Sequence, residues 1–165
     1  MITFKLLSKN DAESVCTSLF KILHSNMSVI APTGNSFEED LALWSAAFKM
    51  QLNDDARQVV LIYDNELIGY FQYSLKDKTF MMEDIQFAKA YQGTGVFRKL
   101  YSYLVRIVPS DMLYAEAYVS KQNEKSQNVC KHLGLKIIGE NKNGLSYHLR
   151  GDYSEILKKY RSTGS

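Results

Sequence analysis

Three strand-like runs, "QVVLIY", "LIGYFQYSL" and "TFMMEDIQF", follow one another with only "DNE" and "KDK" between them. Connections that short leave no room for a crossover helix, so the runs pair in order as an antiparallel meander. The first run is apolar at nearly every position, which fits a strand covered on both faces. A sheet covered on both faces needs helices on either side, and the flanking sequence supplies them.

Upstream, Ile2 to Leu6 reads as a short strand. Ser8 or Asn10 then starts a helix whose apolar residues Val15, Leu19, Ile22 and Leu23 recur at helical spacing. "APTGN" breaks the chain, and Ser36 with Glu39 forms a capping box ahead of Leu41, Trp44, Phe48 and Leu52. The connection from about Ser25 to Ser36 is a candidate binding loop. Glu38, Glu39 and Asp40 beside it either steady the helix start or attract a cationic amine.

Downstream, residues 96–108 carry an apolar face on Phe97, Leu100, Tyr101, Leu104 and Val108. "MLYAEAYV" is a further strand, and Asn123 caps a short helix that ends at Gly134. "LKIIGE" and "LSYHLR", joined by "NKNG", close the chain as a hairpin. The expectation is an α/β (α+β) domain over 1–160: a mixed, mostly antiparallel sheet of about seven strands flanked by about four helices. Residues 161–165, "RSTGS", form a loose tail.

Twenty basic residues against 18 acidic leave a net charge of +2, too balanced to point to nucleic acid or an anionic membrane. No apolar run reaches the roughly 20 residues that span a bilayer. The opening "MITFKLLSKND" lacks the long apolar stretch of a secretory leader. Cys16 and Cys130 form neither a disulfide framework nor a metal-ligand spacing, so a reduced cytoplasmic setting and no metal are expected.

The glycines in "AYQGTGVFRKLYSYLV" follow a strand and open a helix. Glycine inside a regular element costs about 0.5–1 kcal/mol relative to alanine, so its placement here needs a reason. A helix start carries unpaired N–H groups and partial positive charge, and glycines let a phosphate approach them. The spacing is neither a Walker loop nor GxGxxG, and a plain strand-to-helix turn would also use these residues.

With Glu83 and Asp84 on the preceding strand and Asn123, Ser126 and "HLGL" after the next, the pattern resembles the GNAT superfamily of acyl-CoA-dependent N-acetyltransferases. That family's loop, Gln/Arg-x-x-Gly-x-Gly/Ala, stands here as Gln92-Gly93-Thr94-Gly95-Val96-Phe97. The likeness runs over roughly Val59 to Leu149 and is sharpest from Met82 to Leu135. Two positions depart: Phe97 replaces a small residue, and Cys130 stands where relatives often carry a tyrosine.

The resemblance implies transfer of an acetyl group from acetyl-CoA to a primary amine in a ternary complex. The acceptor would be a small molecule or a peptide amine, and a homodimer is a further expectation. Ile85, Gln86 and Phe87 would offer backbone groups to the pantetheine. Gln92, Gly93, Thr94, Gly95, Val96 and Phe97 would hold the pyrophosphate. Arg98, with Lys99, would reach the nucleotide end or stay solvated, and Asn123 with Ser126 would contact the cofactor arm. Glu83 is the first choice of base, directly or through water, and Asp84 its rival. Cys130 would protonate the leaving thiolate or act as a small buried hydrophobe. Tyr118 and Tyr147 are conceivable donors, and His132 and His148 have ordinary readings on a helix and a strand. The competing readings are a non-catalytic acyl-CoA-binding sensor or subunit, and an interaction domain whose glycine turn binds nothing.

Overall fold

A computed structural model describes residues 1–161; the proposed tail beyond Arg161 lies outside the described residues. Seven strands, β1 (Thr3–Leu6), β2 (Arg57–Asp64), β3 (Glu66–Lys76), β4 (Thr79–Phe87), β5 (Tyr114–Ser120), β6 (Lys136–Glu140) and β7 (Ser146–Asp152), form one sheet in the order β1-β2-β3-β4-β5-β7-β6. The β4–β5 pair is parallel, and β1–β2, β5–β7 and β6–β7 are antiparallel. Five helices accompany it: α1 (Ala12–Met27), α2 (Phe37–Gln51), α3 (Val96–Ile107), α4 (Glu124–His132) and α5 (Tyr153–Tyr160). The expected mixed, mostly antiparallel architecture is present.

The tight turns form as the sequence requires. Asn65 alone joins β2 to β3 at φ +65°, and Asp77 and Lys78 join β3 to β4 at φ +50° and +60°. Two successive positive φ values match the right-handed twist of a hairpin. Contacts divide the chain into two compact units, residues 1–72 with 84–94, and 73–83 with 95 onward, so β3 and β4 each run through both.

In the first unit, α1 and α2 bury Ala12, Cys16, Leu19, Phe48 and Leu52 against Val59, Leu61 and Tyr70. The middle four residues of β2 are all buried, as a strand without polar alternation must be. The Ser36–Glu39 capping box starts α2. Asp40 accepts hydrogen bonds from Thr33 and Asn35, which depress its pKa and tie the α1–α2 connection to the helix. Entry to α1 differs from expectation: a short turn over Lys9–Asp11 leads in, Asn10 lies inside that turn, Ser8 precedes it without a side-chain cap bond, and Asp11 stands at the N-cap of α1. The helix also continues to Met27, which shortens the candidate binding loop.

In the second unit, Phe80 stands edge-on to Tyr73 at 5.4 Å and to Tyr153 at 5.7 Å, and Tyr101 packs on Tyr160 at 5.3 Å. Tyr153, Ile156 and Tyr160 are the buried stripe of α5, a helix that the sequence pattern did not single out. Their spacing of three and four residues is helical, yet only eight residues carry it, without a side-chain cap.

Gly69 in β3 marks a close backbone approach. A Cβ there would lie 2.5 Å from the Gln86 carbonyl oxygen and 3.0 Å from the Phe87 ring. Gly69→Ala is expected to lower stability by about 1–3 kcal/mol, seen as a lower urea midpoint at an unchanged slope. An unaltered midpoint would contradict the tight β3–β4 approach.

Candidate functional site

The parallel ladder joins Thr79–Met82 of β4 to Tyr114–Ala117 of β5 and stops there. Glu83 is the first residue beyond it, half-buried in β4. Side-chain alternation also changes near this point. Tyr70 and Tyr73 lie three residues apart in β3 and so face opposite sides. Phe80 packs on Tyr73, whereas Asp84, an even four residues further along β4, bonds to Tyr70. The alternation therefore slips by one residue between these contacts, as at a β-bulge.

Past the slip, polar side chains of the first unit link into a chain. The Tyr70 hydroxyl donates to Asp84 Oδ2 at 2.6 Å, and Gln86 Nε2 donates to Asp84 Oδ1 at 2.9 Å. Asn26 Nδ2 donates to Gln86 Oε1 at 3.0 Å and to the Phe87 carbonyl at 2.9 Å. Gln92 Nε2 donates to Asn26 Oδ1 at 3.2 Å and to the same carbonyl at 3.1 Å. Burial, then the adjacent Asp84 carboxylate, holds the Tyr70 pKa well above its ordinary value, so its hydroxyl remains a donor. Asp84 is thereby committed as an acceptor on both oxygens.

The backbone of β4 sorts the proposed pantetheine contacts. The Gln86 carbonyl points at Gly69, and the Ala88 N–H donates to the Ile68 carbonyl, so these residues turn toward β3. Ile85 and Phe87 alternate with them and face the other way. The Phe87 carbonyl already receives two side-chain donors.

After a short turn at Lys89–Tyr91, the chain reaches the glycines. Gly93 and Gly95 adopt φ +77° and +87°, and a Cβ at either would meet nothing within 4 Å. Backbone conformation, not crowding, demands glycine here. Gly93, Thr94 and Gly95 are exposed, and Gly95 is the residue from which α3 starts. Among the described residues, the N–H groups of Gly93, Gly95, Val96, Phe97 and Arg98 meet no acceptor. They sit at the positive end of a helix anchored by buried Val96, Leu100, Tyr101 and Leu104. The departure at Phe97 is accommodated: its ring stacks on Tyr101 at 4.5 Å.

Arg98 and Lys99 are exposed on α3. Asn123 caps α4, its Oδ1 accepting from the Ser126 N–H at 3.1 Å. Cys130 lies on the buried face of α4, and burial pushes its pKa up to about 11. Tyr118 is exposed and Tyr147 half-buried. His132 sits at the end of α4, beside the Lys159 amine at 2.9 Å.

His148 proves less ordinary than its place on a strand suggested. Its Nε2 pairs with buried Glu116, whose other oxygen lies 3.6 Å from Arg150, and Tyr118 stacks on the imidazole at 4.4 Å. The pairing crosses from β5 to β7 over 32 residues of sequence, with no local signal to mark it. Asn26 was missed likewise, because a polar residue near a helix end has no distinguishing pattern. No group of three or more His, Cys, Asp or Glu placed to hold a metal occurs among the described residues. No described helix is long and apolar enough to cross a membrane.

Comparison with known structures returns the same fold at low identity. The PaiA N-acetyltransferase from Thermoplasma acidophilum, in complex with coenzyme A, superposes with a TM-score of 0.74 at 15% identity, covering 93% of this chain and 99% of that one. An acetyltransferase from Thermus thermophilus gives 0.72 at 15%, covering 92% and 97%. Spermidine N-acetyltransferase from Vibrio cholerae, in complex with CoA and spermine, gives 0.63 at 17%, covering 94% and 98%. A search of curated proteins finds no match. The sequence model of the acetyltransferase (GNAT) family matches residues 17–135, well over half of the chain, and the protein belongs to that family.

Proposed function

We propose that the protein transfers an acetyl group from acetyl-CoA to a primary amine by direct attack in a ternary complex, with residues 1–160 acting as one catalytic domain. The observation that carries this reading is the set of N–H groups of Gly93, Gly95, Val96, Phe97 and Arg98, without acceptors among the described residues, at the start of α3 beside two left-handed glycines. A diphosphate satisfies such amides and suits the positive end of the helix. Gln92, Gly93, Thr94, Gly95, Val96 and Phe97 form this seat, with Arg98 beside it. Ile85 and the Phe87 N–H offer strand-edge partners for the pantetheine amides, while Gln86 serves through its side chain. Asn123 is engaged as a cap, and its side-chain N–H groups remain for the cofactor arm, with Ser126 beside it. Acetyl-CoA supplies the activated acyl group.

Glu83 is the proposed base, placed where β4 leaves β5, and it takes the ammonium proton directly or through water. Asp84 is better suited to hold the network together. The buried Cys130 thiol does not suit proton transfer. A non-catalytic acyl-CoA-binding module is the second reading, favoured by that same thiol in the usual tyrosine's place.

Because the neighbouring Vibrio cholerae enzyme is complexed with spermine, polyamines are the first acceptors to try. Incubation with acetyl-CoA and an amine panel is expected to release CoA thiol with at least one amine. A CoA-induced thermal shift with no thiol release would favour the binding module. Glu83→Gln should lower kcat by about 100-fold while CoA affinity stays within about twofold. Gly95→Trp should abolish the CoA-induced thermal shift. Full activity of Glu83→Gln at every pH would remove Glu83 as base.

Cys130→Ala should keep turnover within about threefold of wild type. It should also change the stability profile at high pH. A thiol with a pKa of 9.0 when unfolded and about 11 when folded binds more protons in the native state between those values. Wild-type stability therefore falls as pH rises through that window, by up to about 2 kcal/mol relative to Cys130→Ala, and the two profiles run parallel below it. Parallel profiles up to pH 11 would contradict burial of this thiol.

A further inference from the structure

We infer that Asn26, on α1, is a positioning residue for acyl-CoA binding, acting through Gln92 to set the start of the diphosphate turn. This inference rests on the CoA-binding role proposed above.

Where β4 leaves β5, the strand keeps carbonyl and N–H groups on an edge without a ladder. The Phe87 carbonyl, at the end of β4, receives Asn26 Nδ2 at 2.9 Å and Gln92 Nε2 at 3.1 Å, which fills both lone pairs. Asn26 also accepts from Gln92 Nε2 at 3.2 Å and donates to Gln86 Oε1 at 3.0 Å. Thus one asparagine side chain satisfies a main-chain carbonyl, a strand side chain and the residue immediately before Gly93.

Direction along the chain is fixed at its far end. Asp84 accepts from Tyr70 and from Gln86 Nε2, so the Gln86 amide must present its oxygen to Asn26. Asn26 must then present its NH₂ to Gln86 and Phe87 and its oxygen to Gln92. A half-buried network with each amide in one orientation has little freedom, and losing one member leaves the others unsatisfied. The consequence falls on Gln92, whose position decides where the Gly93 and Gly95 amides stand. The bonds of the Asn26 side chain go to Gln86, Phe87 and Gln92, so its effect on CoA is expected to pass through Gln92 and the end of β4.

The test measures coenzyme A affinity by calorimetry for wild type, Asn26→Ala, Gln92→Ala and the double variant, with folding of each checked by urea unfolding. Asn26→Ala and Gln92→Ala should each weaken CoA by about 5–20-fold, and the double variant should be no more than about twofold worse than the weaker single one. Asn26→Asp separates orientation from packing. It keeps the shape of asparagine but brings a third oxygen toward the Phe87 and Gln86 oxygens, so it should weaken CoA at least as much as alanine at about pH 8, where the carboxyl is ionised. Affinity should recover toward wild type as pH falls and the carboxyl gains a proton to donate. Asn26→Ala or Asn26→Asp within twofold of wild type overturns the inference, as do losses that multiply in the double variant. A wild-type protein that binds no CoA overturns instead the reading on which it rests.

Discussion

The parting of β4 from β5 after Met82 and Ala117 is the constraint around which the rest is arranged. A strand that leaves its neighbour strands backbone groups, and those groups cost free energy unless something meets them. The chain answers in two ways. At the end of β4, side chains from α1 and from the following turn fill the Phe87 carbonyl. At the start of α3, the amides of Gly93, Gly95, Val96, Phe97 and Arg98 have no acceptor among the described residues. Groups satisfied internally locate the turn, and groups left open are available to a ligand.

Electrostatics agree with this division. Asp84 spends its charge on a buried tyrosine and a glutamine, and Asp40 on Thr33 and Asn35. Glu83 stands just past the last β4–β5 rung. The family match and the shared fold point to acyltransfer.

Much of the fold was legible because its signals are local. The short turns enforced the meander, Ser36 and Glu39 wrote their capping box within four residues, and the two glycines marked the turn before a helix. What could not be read depends on long-range geometry. Period-two alternation cannot reveal where β4 slips, because the slip breaks the rule used to read it. Asn26 meets Gln92 across 66 residues of sequence, and His148 meets Glu116 across 32, so neither pairing leaves a spacing to find. The helix α5 failed for another reason: eight residues with three buried side chains owe their form to the core they pack on.

The central claim is that the open peptide groups of the turn receive the diphosphate of coenzyme A. Amide NMR of the labelled protein during titration with coenzyme A tests it most directly. The N–H resonances of Gly93, Gly95, Val96, Phe97 and Arg98 should move furthest and gain protection from solvent exchange, followed by Ile85 and Phe87. Largest shifts elsewhere, with the Gly93–Arg98 amides unmoved at saturation, would contradict it.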